Sequence, residues 1–356
     1  MIKDMDNKNK NNFSIKSFRY MVVAVGIMIV TALITTILFR RYINAVNTAE
    51  LGSKNIYEQH YVFVGDDVDS EFWGQVYDSA RIQAEKDNIY LEDIKESLKV
   101  NYTNEDLLRV AINSSVDGII YAGGTSKEVV KLIDNAVGQG INICVLHNDI
   151  EQSQRQCYVG VNNYELGQIY GSQIIEMTNV EDISNQTISL LVNGEMSEGA
   201  ANLVVLAIED SLVEFVEEDS LPEIEVIKIN AEDTFSVEEN IRNIFVTDNS
   251  LPDIMLCLED SYTQCVYQAL VDFNRVGEVK VIGYFLNEDI LEAIDKQIIY
   301  STVSVDTDEM GKYSVLALEE LNEFGYTNSF IPVEMEVISK NKATKLLEKN
   351  LTREME

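Results

Sequence analysis

From Tyr61 onward the chain alternates short apolar runs with amphipathic stretches, and this alternation limits the folds open to it. Tyr61–Val64 is an apolar run, and the stretch 73–86 that follows places Val76, Ala80 and Ala84 on one helical face. Apolar runs of this length predict buried strands, and the longer stretches predict helices. Because strands separated by helices pair in parallel through right-handed crossovers, the sequence predicts an α/β fold with parallel sheets.

The alternation occurs in two successive sets, which predicts two similar lobes. The predicted strands are 61–64, 89–91, 118–121, 141–146, 187–192, 224–229, 254–258, 279–283, 298–303 and 332–338. The predicted helices are 73–86, 104–112, 126–139, 197–216, 237–245, 261–271, 288–294 and 308–324. With only three prolines and no Pro- or Gly-rich linker between the halves, we expect lobes joined by several close crossings. Such lobes would enclose a ligand beyond the carboxyl ends of their strands and close by a hinge.

An uncharged run, Tyr20–Phe39, precedes this region. A helix of 20 residues, at about 1.5 Å per residue, spans a hydrocarbon core of about 30 Å. A buried core helix is the alternative, but it would usually show a polar face, and this run has only scattered Thr and Gly. The sequence therefore predicts a single transmembrane helix over residues 20–39.

The basic residues around this run predict its orientation. Five Lys/Arg precede it within residues 1–19, and only Arg40 and Arg41 follow closely, so residues 1–19 are expected in the cytoplasm and the main domain outside. A cleaved signal peptide would have a shorter apolar region, of about 7–15 residues, ending in small residues. No cysteine that could take a lipid ends the run. We expect an uncleaved anchor in the cell membrane, followed by a juxtamembrane linker over residues 40–59.

Charge excludes one class of partner. The formal net charge is −33; residues 1–41 hold seven basic and two acidic side chains, and the other residues hold 20 basic and 58 acidic ones. Nucleic-acid binding depends on neutralising phosphates with Lys and Arg, so a domain this acidic is not expected to bind nucleic acid.

The reactive residue types predict neither a metal site nor a catalytic one. The four cysteines form no CxxC motif or Cys/His cluster. Their even number permits two disulfides outside the cytoplasm, but Cys144 and Cys257 end apolar runs, which favours buried free thiols. There is no GxSxG, Walker loop, HExxH or Ser-His-Asp order. We therefore predict a protein that is not an enzyme and has no cofactor or metal.

Two ordered segments resemble the type I periplasmic (ribose-like) sugar-binding proteins. Val116–Ala122 (VDGIIYA) leads through 133–140 to Ile141–Asp149 (INICVLHND), and Tyr158–Gly171 (YVGVNNYELGQIYG) follows. The resemblance continues at Val281–Gly283 and 331–334 and covers about residues 60–340. The family also includes the ligand domains of lactose-repressor-like regulators, which carry a DNA-binding head where this chain has its predicted anchor.

The resemblance implies two Rossmann-like lobes joined by a three-strand hinge. The crossings fall near 161–163, 303–306 and 331–333. Lobe 1 would combine about 60–162 with 306–330, and lobe 2 about 163–305 with 331–340. Residues 341–356 are left as a charged C-terminal tail.

Some ligand contacts of the family fall on suitable residues in this chain. The family's stacking aromatics after the first strand correspond to Phe72 and Trp73. Their ring faces would pack on a sugar ring, and the alternative is that one of them packs in the lobe interior. Asp69 and Ser70 lie in the same loop and would accept hydrogen bonds from hydroxyl groups; the alternative is a solvated, charged loop. From lobe 2, the resemblance implies that Phe235 would keep one of the family's aromatic contacts.

Other positions depart from the family pattern. The family's Asp-Arg pair after a lobe 1 strand is replaced by His147-Asn148, where His147 is a ligand contact or a structural cap of the loop. A second family arginine falls near Gly199. In lobe 2 the family's Asn and Asp fall on Glu259 and Phe285.

The family's Gln at the second crossing falls near Val305, beside Asp306. Because each unpaired buried polar group costs about 1–3 kcal/mol, these exchanges change which ligands can be satisfied. The loss of both arginines disfavours an anionic ligand and leaves a neutral or cationic, sugar-like one.

Three functions are consistent with these residues. The first is a membrane-anchored solute-binding protein that senses a sugar-like ligand and signals to a partner such as a sensor histidine kinase. The second is the substrate-binding component of a sugar ABC transporter, with a permease as its partner. The third is a degenerate module that contacts proteins and no longer binds a small molecule.

Overall fold

A computed structural model of the chain describes residues 57–65, 70–98, 102–230, 234–247 and 251–354. These residues form two lobes, each built on a six-stranded sheet, which confirms the two-lobed α/β prediction. Within these ranges, no helix has the length and apolar character needed to cross a membrane. The predicted cytoplasmic tail, the span Tyr20–Phe39 and most of the linker lie outside the described residues.

Strands and helices alternate along the chain. The strands are β1 (Gln59–Gly65), β2 (Ile89–Asp93), β3 (Gly118–Ala122), β4 (Asn142–Leu146), β5 (Cys157–Gly160), β6 (Thr187–Asn193), β7 (Glu223–Ile229), β8 (Ile254–Cys257), β9 (Lys280–Tyr284), β10 (Ser301–Val305), β11 (Phe330–Pro332) and β12 (Met335–Ser339). The helices are α1 (Glu71–Lys86), α2 (Ile94–Leu98), α3 (Asn104–Asn113), α4 (Lys127–Gly138), α5 (Asn163–Met177), α6 (Glu198–Leu212), α7 (Thr234–Thr247), α8 (Asp260–Asp272), α9 (Glu288–Asp295), α10 (Thr307–Phe324) and α11 (Lys340–Glu354).

The two sheets have matching strand orders. Lobe 1 is built on the order β2-β1-β3-β4-β5-β11, and lobe 2 on β7-β6-β8-β9-β10-β12. All neighbouring strands are parallel except β10 and β12. The order in which strands are added to the sheet reverses beside β1 and beside β6. Ligands of open α/β sheets bind at the carboxyl ends of the strands at such points.

The chain passes between the lobes after β5, after β10 and between β11 and β12. The last crossing corrects the sequence-based prediction, because 332–338 is two strands rather than one. Ile331 pairs with Val159 in lobe 1, whereas β12 runs antiparallel to β10 in lobe 2. Residues 331–332, which we predicted in lobe 2, therefore belong to lobe 1.

The predicted charged tail is also corrected, because most of it forms helix α11. Ala343 is fully buried in the lobe 2 core, and Leu346 and Leu347 pack against the same core. The spacing of these three residues places them on one face, which packs on lobe 2 while the charged residues occupy the other face.

All four cysteines are free thiols. Cys144 and Cys157 are buried opposite each other on β4 and β5, Cys257 is buried at the end of β8, and Cys265 is partly buried on α8. Burial raises the pKa of Cys257 to about 12 and that of Cys265 to about 11, so both remain protonated thiols at neutral pH.

Helices α1 and α10 pack closely against each other on one face of the lobe 1 sheet. A Cβ atom at Gly311 of α10 would lie 2.2 Å from the carbonyl oxygen of Val76 and 2.7 Å from the backbone nitrogen of Ala80. Both atoms belong to the α1 backbone and cannot rotate away, so the helix spacing requires glycine at position 311.

We expect Gly311→Ala to destabilise the protein by about 1–3 kcal/mol, the usual cost of overpacking. The measurement is the free energy of unfolding from urea titration. Gly138→Ala is the matched control: it also lies in a helix, and a Cβ atom there meets nothing within 4 Å. The control should leave stability unchanged or raise it by up to about 1 kcal/mol. Equal effects of the two substitutions would contradict the close approach.

Candidate ligand site between the lobes

Equivalent positions in the two lobes place a ring side chain in the cleft. His147 directly follows β4 and Phe285 directly follows β9, and their φ angles are 64° and 68°. Residues other than glycine rarely adopt this left-handed backbone conformation, which costs about 1–3 kcal/mol per residue. Backbone hydrogen bonds hold both turns, from His147 N to the Val159 carbonyl (3.1 Å) and from Phe285 N to the Val303 carbonyl (2.8 Å).

The rings of Phe72, Trp73, His147 and Phe285 form the interlobe aromatic cluster. Phe72 contacts the other three edge to face, with ring centroids 4.9 Å from Trp73, 5.5 Å from His147 and 5.1 Å from Phe285. Phe72 is 2% exposed and Phe285 4% exposed. Rings at this separation are in contact, so the space between Phe72 and Phe285 is filled by the protein itself.

A hydrogen bond of 2.9 Å joins Nε2 of His147 in lobe 1 to Oε2 of Glu259 in lobe 2. The side chains are 8% and 15% exposed. Glu259 immediately precedes α8, whose first residue is Asp260. Burial and then the neighbouring Glu259 raise the pKa of Asp260 to about 6, whereas His147 lowers it.

A second polar contact joins the lobes on another side of the cleft. The backbone N–H of Thr125 donates to the carboxylate of Glu195 (2.5 Å), and the Thr125 hydroxyl donates to the Glu195 carbonyl (2.8 Å). A Cβ atom at Gly124 would lie 2.2 Å from the Glu195 carboxylate, so glycine at 124 allows this close approach. No pattern in the sequence predicts this contact.

A cavity of about 620 Å³ lies between the lobes, beside the His147–Glu259 pair. Its volume falls within the range of about 300–1,000 Å³ that is typical of small-molecule sites. Lobe 1 lines it with the loop between β4 and β5, and lobe 2 with the ends of β6, β8 and β9 and the start of α6. Its polar wall residues include Asn148, Asp149, Arg155, Tyr158, Asn162, Asn193, Ser197, Glu259 and Tyr284.

The one arginine in the cavity wall is already neutralised by a carboxylate. Arg155 binds Asp149 through two nitrogens, with Nη2 2.6 Å from Oδ2, and Nη1 donates to the Ser329 carbonyl at 2.9 Å. Its guanidinium also lies 5.7 Å from the ring centroid of Tyr158. Glu151 and Glu259 also line the wall, which therefore has more acidic than basic side chains.

The structure brings most of the predicted site residues into the cleft. His147, Asn148 and Glu259 line the cavity. Phe72, Trp73 and Phe285 belong to the interlobe aromatic cluster, next to the cavity wall.

The remaining predicted residues have other positions. Ser70 caps α1 by accepting from Trp73 N, and Asp306 caps α10 by accepting from Glu309 N. Phe235 is 82% exposed on α7 and is not among the cavity-wall residues. Asp69 lies outside the described residues. In the part of the chain that the structure describes, no group of three or more His, Cys, Asp or Glu side chains is arranged to hold a metal ion.

Several wall residues were missed by sequence reasoning. Tyr284 ends β9 and Asn193 ends β6, and their positions at carboxyl ends of strands could have indicated the cleft. Asp149 and Arg155 are six residues apart in one loop, and no sequence signal predicts their ion pair.

The geometry of two hinged lobes around a cavity agrees with the family comparison. A model described as "Periplasmic binding protein domain" matches residues 61–324, and the chain belongs to this family of binding proteins. No curated protein matches the chain.

Solved structures of sugar-binding proteins share the fold. GanP, a glucose-galactose binding protein from Geobacillus stearothermophilus, is 23% identical, with a TM-score of 0.65 over 80% of this chain and 98% of that one. A chain of the XylFII-LytSN complex is 20% identical, with a TM-score of 0.63 over 80% and 98% of the two chains. The sugar-binding protein of a sugar ABC transporter from Bacillus halodurans is 18% identical, with a TM-score of 0.61 over 80% and 99%.

The raised pKa of Asp260 predicts a pH-dependent effect of Asp260→Asn. The folded state holds this proton more tightly than the unfolded chain, whose Asp pKa is near 3.8, so the charged form destabilises the fold increasingly between pH 4 and pH 6. We expect Asp260→Asn to raise the melting temperature at pH 7 and to have little effect at pH 4. The upper limit, from a pKa shift of about two units, is about 3 kcal/mol.

Asp272→Asn, at the other end of α8, is the matched control with the opposite sign. A hydrogen bond from Arg242 lowers the pKa of Asp272, so its charge contributes stability at neutral pH that is lost as the pH falls. Asp272→Asn should therefore lower the melting temperature at pH 7. A gain from Asp260→Asn that is the same at pH 4 and pH 7 would contradict the assigned pKa.

Proposed function

We propose that this chain is a membrane-anchored, extracytoplasmic solute-binding protein that binds a neutral or cationic, sugar-like ligand between its lobes and signals to a membrane partner. The observation that carries the proposal is the cavity enclosed by two lobes that the chain joins by three crossings. Such lobes move about their crossings, and a ligand that contacts both stabilises the closed arrangement.

The ligand class is supported by the cavity wall and by the relatives. His147, Asn148 and Glu259 are the proposed polar contacts among the residues predicted from the sequence. Neighbouring structures are described as binding glucose and galactose or as sugar-binding proteins, and we extend that class to this chain as a proposal. The neutralised Arg155 supports an uncharged or cationic member of the class.

Sequence supports the proposed membrane anchor. Residues 20–39 have the length and composition of a spanning helix, and the basic residues before them favour a cytoplasmic N-terminus. The binding domain would then be held at the extracytoplasmic surface of the cell membrane. An uncleaved anchor keeps the domain beside membrane proteins, where lobe closure can be transmitted to a sensor histidine kinase.

Transport is the second candidate function. The neighbour from Bacillus halodurans is described as the sugar-binding protein of an ABC transporter, which supports a permease as the partner. The XylFII-LytSN complex shows that a chain of this fold also assembles with another protein, which supports a protein partner for the sensing function. A third reading, a module without a ligand, is supported by the aromatic cluster that fills part of the cleft.

We expect at least one member of a sugar panel to raise the melting temperature of the 356-residue chain in detergent micelles. The panel contains xylose, arabinose, ribose, glucose, galactose, glucosamine, maltose and cellobiose, and glucuronate serves as the anionic control. A ligand at 100 times its Kd stabilises the native state by about 2.7 kcal/mol. A shift with glucuronate alone would contradict the charge argument, and no shift with any sugar would favour the module without a ligand.

The anchor predicts that the chain stays in the membrane fraction after an alkaline carbonate wash. Ile29→Lys combined with Leu33→Lys should release it, because a charged residue at the centre of a span costs about 2.5–3.5 kcal/mol on insertion scales. Ile29→Leu with Leu33→Ile is the matched control and should remain membrane-bound. Release of the unaltered chain by carbonate would contradict the anchor.

The predicted orientation has its own test: external protease should digest the acidic domain in intact spheroplasts.

A further inference from the structure

We propose that the ligand binds in the cavity on the Tyr284 side of the His147–Glu259 pair, and that the interlobe aromatic cluster closes the lobes without stacking on the ligand. This inference rests on the proposed function, because it assigns a position and contacts to the ligand of the same cleft. It also replaces the contact predicted for Phe72 and Trp73 from the sequence.

The centre of the cleft has no room for a sugar ring. Phe72 and Phe285, from opposite lobes, are in edge-to-face contact with centroids 5.1 Å apart. His147 contacts Phe72 and Trp73 on the same side, with centroids at 5.5 Å and 5.7 Å. A ring inserted between these side chains would have to separate the lobes and break the His147–Glu259 hydrogen bond. The cluster therefore acts as an apolar contact that forms when the lobes close.

The open volume lies beyond Glu259, where the chain has a glycine. Gly199 lies in the first turn of α6 and in the cavity wall, and a Cβ atom there would meet only Ser197 Oγ, at 4.0 Å. The absence of a side chain at 199 leaves space on the lobe 2 side that a ligand can occupy.

Tyr284 is one of the residues that line this cavity, and its buried hydroxyl is an unpaired polar group. Its side chain is buried, and its hydroxyl has no hydrogen-bond partner among the described residues. Two neighbouring tyrosines are paired: Tyr158 donates to the His147 carbonyl at 2.9 Å, and Tyr170 donates to the Cys257 carbonyl at 2.6 Å. A buried hydroxyl without a partner destabilises the protein unless a bound molecule pairs with it. A ligand that carries hydroxyl groups provides that pairing.

Two asparagines in the wall add donors of the same kind. The side-chain oxygen of Asn162 accepts from Tyr164 N at 3.0 Å, and that of Asn193 accepts from Glu195 N at 2.9 Å. Each side chain also carries an NH₂ group, which can donate to oxygen acceptors. Together with Tyr284, they favour a polyhydroxylated ligand that both donates and accepts hydrogen bonds.

The test compares Tyr284→Phe with Trp73→Phe in the full chain, by titration calorimetry with the panel sugar that gives the largest melting shift. Tyr284→Phe removes only the hydroxyl, and we expect at least tenfold weaker binding with an unchanged or higher melting temperature of the unliganded protein. Trp73→Phe should change the affinity less than threefold. Tyr313→Phe is the matched control, because its hydroxyl bonds Glu309 on the surface of α10.

Gly199→Leu tests the cavity without removing a polar group. The leucine side chain should fill cavity space near Ser197 and so abolish sugar binding. The melting temperature of the unliganded protein should be unchanged or higher, since leucine favours a helix over glycine.

The three variants together decide between the two positions of the ligand. If Trp73→Phe abolishes binding while Tyr284→Phe and Gly199→Leu bind normally, the ligand stacks on the aromatic cluster; this inference then fails and the proposed function stands. If the unaltered chain binds no sugar of the panel, both fail.

Discussion

The hydrogen bond between His147 and Glu259 sets the conditions under which the two lobes meet. Both side chains are ionisable and nearly buried, so closing the lobes removes them from water, and their mutual contact offsets that cost. The net free energy of a buried pair is often small, because the cost of desolvation offsets the attraction. A molecule that contacts both lobes of such a protein shifts the population towards the closed arrangement by its differential affinity for the two arrangements.

Backbone strain supports the same contact. His147 and Phe285 occupy equivalent turns after β4 and β9, and both have left-handed backbone conformations. Buried hydrogen bonds and the contacts of Phe72 with each ring compensate for this strain. The sheets thus determine the direction of the rings, and the rings determine the separation at which the lobes close.

The sequence predicted the order and type of most strands and helices, because each buried strand is an apolar run and each helix has an apolar face. The strand predicted at 332–338 was wrong because periodicity cannot show that a chain changes sheets within one extended segment. The candidate site was predicted in part: His147 and Glu259 were singled out, yet their pairing joins residues 112 positions apart. Tyr284 reads as the end of an apolar strand, and only packing shows that its hydroxyl is unpaired.

Lobe 1 is discontinuous in sequence, and this has a consequence for how the chain is made. Its sheet lacks β11, and its α1 lacks the neighbouring α10, until residues 307–332 have been synthesised. At about 5–20 residues per second, the interval between the end of β5 and the end of β11 is about 10–35 s. During this interval the apolar surfaces of α1 and the β5 edge have no native partner. The sheet of lobe 1 can therefore be completed only after lobe 2 has been translated.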